Sequence, residues 1–180
     1  MLFIIILSVG ILLFDQLSKL FTVGFFVNSS NILYEGWLTS IGESEVIIPN
    51  VLSFTYVLND GAAFGILSNQ RLFFLLTTLI ICIVGIIALL KFPEKHILLK
   101  LSAGFILGGA LGNLIDRVVI GVVRDFIDAT IVETVTGLSF AVFNVADIFV
   151  VVGTILLAIY ILFYHDKIYP PKDKKESKNG

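Results

Sequence analysis

The sequence is short of the residues on which most soluble enzymes rely. Only 14% of its 180 residues are charged, and it holds 2 His, 1 Cys and 4 Pro. A lone cysteine excludes a disulfide framework and a CxxC metal pair. Cys82 lies in the apolar run LIICIVG, where it reads as a small buried hydrophobe. No internal repeat is visible. The opening run MLFIIILSVGILLF looks like the apolar part of a signal peptide, but no basic residue precedes it and no small-residue cleavage site follows, so it is expected to be retained.

What the chain has instead is hydrophobic bulk: 57% of its residues are hydrophobic, with a mean hydropathy of +1.01. Soluble domains carry about 45–50% apolar and about 25% charged residues, so a water-soluble core is excluded and membrane burial is the simplest account. A helix needs about 20 residues to cross the hydrocarbon layer. Four stretches fit, 2–23, 71–91, 97–116 and 144–164, each apolar on all faces. The expected fold is an all-α membrane protein with four transmembrane helices. One domain should cover 1–165, with a lysine-rich cytoplasmic tail over 166–180 that has nothing to bury.

The net charge of −2 hides an asymmetry. Lys91, Lys95 and Lys100 surround the second connection, and Lys167, Lys172, Lys174, Lys175 and Lys178 fill the tail. Acidic residues dominate the other connections. By the positive-inside rule both termini are cytoplasmic and the loops 24–70 and 117–143 face outward. In the first of these loops Leu52, Phe54, Tyr56 and Leu58 alternate with Val51, Ser53, Thr55 and Val57, a strand pattern that follows the Pro49-Asn50 turn. With Glu45–Ile48 before that turn, a small extracytoplasmic β-sheet at the membrane surface is expected. Residues 28–44 read as irregular loop, with Trp37 as an interfacial anchor.

Ionisable residues inside spans are costly, so their depth is informative. With this chain direction Asp15 and Lys19 fall in the outer half of the first span. Asn113, Asp116 and Arg117 end the third, and Asn144 and Asp147 begin the fourth. Asn59-Asp60-Gly61, Asp125 and Asp128 lie in the outer loops, while the inner halves of the spans hold almost nothing ionisable. Each group has a plain structural reading. Asp15 and Lys19 are spaced to pair along one helix, and Gly104, Gly108 and Gly112 form a packing ridge. Asp116-Arg117 can be ordinary interfacial residues, and Asn144 can be an N-cap with Asp147 favoured by the helix dipole. Asp125 and Asp128 can be solvated carboxylates, and Asn59-Asp60-Gly61 a turn. His96 and His165 fall on the cytoplasmic side and read as incidental.

Together these groups narrow the chemistry. The outer layer lacks His and Cys, and its serines have no adjacent base, which argues against a zinc site, a Cys–His pair or a Ser–His triad. Carboxylates remain, and two held close share a proton, so that one can deprotonate water while the other protonates the substrate. An ion carrier and a membrane scaffold stay open as alternatives. The carrier would need polar groups through the whole bilayer, and the scaffold would need no cluster at one depth.

Five blocks in order resemble the bacterial lipoprotein signal peptidases (type II signal peptidases) across essentially all of 1–165. They are Asp15-Gln16-x-x-Lys19, Asn59-x-Gly61-Ala62-Ala63-Phe64, Gly112-Asn113-Leu114-Ile115-Asp116-Arg117, Val123-Arg124-Asp125-Phe126-Ile127-Asp128 and Phe143-Asn144-x-Ala146-Asp147. The resemblance implies an aspartyl endopeptidase of the cytoplasmic membrane that needs no cofactor or metal. It would cleave prolipoproteins just before a diacylglyceryl-modified cysteine. It further implies Asp125 and Asp147 as the catalytic pair, with Asp15, Lys19, Asn59, Gly61, Asn113, Asp116, Arg117 and Asn144 in support. The implied partners are diacylglyceryl-prolipoproteins, membrane lipids and globomycin-type inhibitors, with no nucleic acid. Asp60 stands where the family commonly has Thr, and the loop 28–45 is longer than usual; both bear on substrate docking.

Overall fold

The computed structural model describes residues 1–30, 44–61, 70–91 and 96–164. Trp37, the Ala62–Phe64 part of the second block, Lys95, His165 and the tail over 166–180 lie outside these residues. The chain runs α1 (Leu2–Ser30), β1 (Ser44–Ile48), β2 (Leu52–Asn59), α2 (Arg71–Lys91), α3 (Ile97–Val119), β3 (Val123–Asp128), α4 (Thr130–Thr136) and α5 (Val145–Phe163). Among the described residues three helical stretches are long and apolar enough to cross a membrane, Leu2–Phe25, Ile97–Val119 and Val145–Phe163. The apolar stretch of α2, Leu72–Ile87, is shorter. The protein is thus mostly helical and multi-pass, with one small antiparallel sheet of order β1-β2-β3.

Outward-facing side chains such as Leu13, Phe14, Leu17, Ile155 and Leu162 are large, apolar and exposed, a surface suited to lipid rather than water. Lipid offers little hydrophobic drive for one helix to join another, so the helices associate through close backbone approach. Here α3 is central and packs on α1, α2 and α5. The ridge of Gly104, Gly108 and Gly112 lies against α1: added Cβ atoms there would meet Leu7 Cδ2 at 2.5 Å, Ser8 O at 2.8 Å and Asp15 Oδ2 at 2.5 Å. Gly109, on the adjoining face, sits under α5, where a Cβ would lie 2.5 Å from the Ala146 carbonyl oxygen. A backbone oxygen cannot swing aside as a side chain can. Gly109→Ala should therefore cost about 1–3 kcal/mol of stability, read as a lower midpoint of thermal unfolding in detergent. Gly10→Ala, with nothing within 4 Å, is the control and should leave the midpoint unchanged or raise it. Equal losses in both would refute the close-packing account.

The helix ends depart from the sequence-based spans. α1 continues past residue 23 to Ser30, because FTVGFFV extends the apolar run without a breaker, so residues 28–30 are helix and not loop. At 1.5 Å per residue its 29 residues span about 43 Å, well beyond a hydrocarbon layer of about 30 Å. The sheet packs on α1 just before this overhang: Val23 and Tyr56 are buried together, with Phe54 and Leu58 packed against them. α3 runs on to Val119 rather than ending at 116. α5 begins at Val145, with Asn144 as its N-cap.

The largest departure lies in 117–143. This segment was expected to be loop, yet it contains β3 and the short helix α4. β3 pairs antiparallel with β2, Asp125 opposite Val57 and Arg124 opposite Leu58. A backbone bridge from Ile127 to Phe143 supports its other edge. β1 and β2 form as the alternation predicts, joined at Asn50 with φ of 60°, a left-handed conformation that Asn tolerates.

Candidate active site

All ten of the singled-out residues come together where α1, β2, α3, β3 and α5 meet. Six of them, Asn59, Gly61, Asn113, Arg117, Asp125 and Asp147, line a cavity of about 460 Å³. Its opposite wall is apolar, built from Phe140, Val142 and Phe143 ahead of α5 and from Ile148, Val151 and Val152 on α5 itself. This wall was not foreseen; its one trace in the sequence is the short run Phe140–Phe143 just before the Asn-x-Ala-Asp block. Asp60 and Asp128 are absent from the described lining, and Asp128 instead accepts a bond from Thr55 Oγ1 on the sheet, at 3.3 Å.

The strand alternation of β3 turns Val123 and Asp125 towards the cavity. Asp125 is 2% exposed. Asn59 Nδ2 donates to its Oδ2 at 2.8 Å, and Asn144 Nδ2 to its Oδ1 at 2.6 Å. The Asn59 amide is held the right way round because its Oδ1 accepts from Gly61 N at 2.9 Å. Asp147 arrives on the first turn of α5 through a capping box. Asn144 Oδ1 accepts from Asp147 N at 3.0 Å, and Asp147 Oδ2 accepts from Asn144 N at 3.1 Å. Asn113 Nδ2 donates to the remaining oxygen, Asp147 Oδ1, at 2.8 Å. Asn144 is thus a partner of both carboxylates, and it also donates to Asn113 Oδ1 at 3.0 Å.

The two acids are not in equivalent surroundings. Burial first, and the nearby Asp147 charge second, push the Asp125 carboxyl up to about 7, against the opposing hydrogen bonds from Asn59 and Asn144. Asp147 instead accepts a backbone N–H within the capping box at the start of α5. Arg117 also lines the cavity, its guanidinium lying 5.0 Å from the centre of the Phe74 ring on α2.

Behind this wall lies a second set of charges. Lys19 and Asp15 are 0% exposed and pair at 2.8 Å along α1, as the i, i+4 spacing predicts. Lys19 also reaches Asp116 at 3.2 Å and donates to Asn113 Oδ1 at 3.1 Å, which ties the buried ions to the cavity amides. Asp15 Oδ1 accepts from Ala146 N at 2.9 Å, satisfying one orphan N–H at the start of α5. Gln16 and Arg124, quoted in the sequence blocks but given no role there, complete the set. Arg124 Nη2 donates to Asp116 Oδ1 at 2.6 Å, and Gln16 Nε2 donates to Asp15, Asp116 and the Gly112 carbonyl, each at 3.1 Å. Among the described residues no three His, Cys, Asp or Glu side chains gather as metal ligands. The deeper buried hydroxyls, Ser8 and Ser102, only bond backbone carbonyls. His96 caps α3 through a bond from Leu98 N and lies against Tyr160 and Tyr164.

Known proteins share this arrangement of chain. The family model for signal peptidase (SPase) II matches residues 7–163. A lipoprotein signal peptidase of Clostridioides difficile is 42% identical over 164 residues, 91% of this chain and 95% of that one. Its counterpart in Staphylococcus aureus (strain MRSA252) is 35% identical over 158 residues, 88% of this chain and 86% of the other. A solved bacterial membrane enzyme, determined by the in meso method at 2.3 Å resolution, superposes with a TM-score of 0.71 at 32% identity, covering 94% of this chain and 92% of its own. Another, at 1.9 Å, gives 0.70 at 34% identity, over 89% and 93%. Matched from the first helix to the last, the chain belongs to the signal peptidase II family and is a membrane peptidase.

Proposed function

We propose that this protein removes signal peptides from diacylglyceryl-modified prolipoproteins, hydrolysing the bond just before the lipidated cysteine with Asp125 and Asp147. The observation that supports this reading is that these two carboxylates face one cavity and share Asn144 as a partner. Asp147 deprotonates a water lying between the two acids as it adds to the carbonyl carbon, while Asp125, protonated, donates to the carbonyl oxygen. The proton taken up by Asp147 then passes to the leaving amine as the C–N bond breaks, and Asp125 recovers its proton from the gem-diol hydroxyl. Attack by water is direct, with no acyl-enzyme. Asn59, Asn113 and Asn144 hold the carboxylates, and Arg117 with Gly61 lines the path of the substrate backbone. The apolar wall takes the side chains next to the scissile bond. Lys19, Asp15 and Asp116 fix α1 to α3 and α5.

In this reading α2 is the fourth crossing, both termini are cytoplasmic, and the cavity opens near the outer face, where a lipid-tethered amide stays within reach. Residues 1–165 act as one unit and 166–180 as a cytoplasmic tail. The decisive assay is purified protein on a diacylglyceryl-modified prolipoprotein, followed by gel shift. Cleavage of the lipidated precursor, its block by globomycin, and no cleavage of the unlipidated precursor are expected. Equal cleavage of both precursors, or none of either, overturns the proposal.

The shared proton sets a pH dependence. Asp125 has its carboxyl raised to about 7, so the proton it must donate is retained below that pH and lost above it. kcat/KM should fall as pH rises through about 7, and the fall should follow one ionisation. The Asn59 bond favours the ionised form, so Asn59→Ala should move this basic limb to higher pH. A rate that holds constant from about pH 6 to about pH 9 would remove Asp125 from the acid role.

A further inference from the structure

We propose that Arg124 is a positioning residue for the reaction: anchored on Asp116 and Gln16, it fixes the register of β3 and thereby aims Asp125 into the cavity. The inference rests on the reading of Asp125 as a reacting acid and adds the device that sets its direction. Arg124 and Asp125 are consecutive on a strand, so their side chains leave on opposite faces. Asp125 faces the cavity and Arg124, 5% exposed, faces the buried charges between α1 and α3. Its backbone N donates to Asp116 Oδ2 at 3.0 Å, its Nε to the same oxygen at 3.2 Å, and its Nη2 to Asp116 Oδ1 at 2.6 Å. Nη2 also donates to Gln16 Oε1 at 3.0 Å. A two-nitrogen fork on a carboxylate fixes orientation as well as distance.

The ladder alone is a weak register setter here. β3 has six residues, its other edge is met through the single bridge between Ile127 and Phe143, and its pairing with β2 shifts between Phe54 and Val57, next to the rung that carries Asp125. A slip of one residue exchanges the two faces of a strand. It would turn Asp125 onto Asp116 and Asp15 and turn a guanidinium into the cavity. The adjacency of opposite charges makes the slipped pairing the worst available one. Lys19 and Arg124 against Asp15 and Asp116 leave the buried set neutral only in the observed register.

The test uses the full chain in detergent, on the lipidated precursor, with rates normalised to folded enzyme. Arg124→Gln should lower kcat about a hundredfold with KM within twofold, and Arg124→Lys, which keeps the charge without the fork, should recover about a tenth of the wild-type kcat. Register is read directly by disulfide formation between Ser53→Cys and Asp128→Cys, which are opposite one another, in a Cys82→Ala background. The Ser53–Asp128 cross-link should form readily with Arg124 present and fall in the Arg124→Gln chain in favour of Ser53 with Ile127→Cys. If Arg124→Gln lowers only the unfolding temperature, leaving kcat and the cross-link unchanged, the anchor role is overturned. Should Arg124→Gln fail to accumulate, an unchanged kcat and cross-link in Arg124→Lys overturns it equally. Asp125→Asn run alongside separates the two claims. An inactive Asp125→Asn with a fully active Arg124→Gln sinks the anchor alone, while an active Asp125→Asn sinks the site reading beneath it.

Discussion

Asp125→Asn and Asp147→Asn should each lower the rate of prolipoprotein cleavage by about a thousandfold or more, while the protein still inserts and folds. The magnitude follows from the role: a positioned group that transfers a proton in the transition state contributes about 10²–10⁴ in rate, and in a two-acid site each member fails without the other. The substitutions are close to isosteric, which separates chemistry from folding. At position 125 an amide oxygen can still accept from Asn59 or Asn144, and at 147 it can still complete the capping box. The double variant should be no slower than the worse single one, because residues that act as a unit are not additive. Retention of more than about a tenth of wild-type activity by either single variant would remove that residue from the chemistry.

The largest stability effect should come from Lys19→Met. Lys19 is fully buried, with partners at Asp15, Asp116 and Asn113. Methionine fills most of the same space, so packing changes little, but two carboxylates lose their shared cation. Breaking a buried pair from one side costs about 3–5 kcal/mol, because the charge left behind has no water to turn to. Asp15→Asn combined with Lys19→Met should recover part of that loss, a positive coupling in a double-mutant cycle. The measurement is the unfolding midpoint in detergent. A midpoint shift equivalent to under about 0.5 kcal/mol for Lys19→Met would show that the buried ions contribute no net stability.

The parts of this fold that local pattern specifies were legible. Long apolar runs gave the helices, the alternation of Leu52–Leu58 gave β2, and the 15/19 spacing gave the first ion pair. That the polar residues of the spans would come together was legible because ionisable groups in apolar helices need one another as partners. β3 was not legible. Its sequence VRDFID carries three charges in six residues, and local propensity places such a stretch in solvent. It is a strand because tertiary partners absorb those charges, Arg124 on Asp116 and Asp125 among amides, and because β2 and Phe143 pair with its two edges. The overhang of α1 was missed because the expected span stopped at the width of the bilayer, while the apolar run FTVGFFV carries the helix on to Ser30. Gln16 shows the limit most plainly. A polar residue beside Asp15 suggests nothing of a side chain that joins Asp15, Asp116, Gly112 and Arg124.

The start of α5 carries a consequence for biogenesis. Asp147 is at once part of a helix capping box and, in the proposed reaction, a reacting acid, and the groups bonded to the start of α5 and to Asp125 come from α1, β2 and α3. In chain order Asn144 and Asp147 follow every other one of these groups, so they are the last to be synthesised. A nascent chain lacking α5 has Asp125 without its partner acid and without Asn144. Under the proposed reaction, hydrolytic competence therefore arrives only when α5 docks on α3.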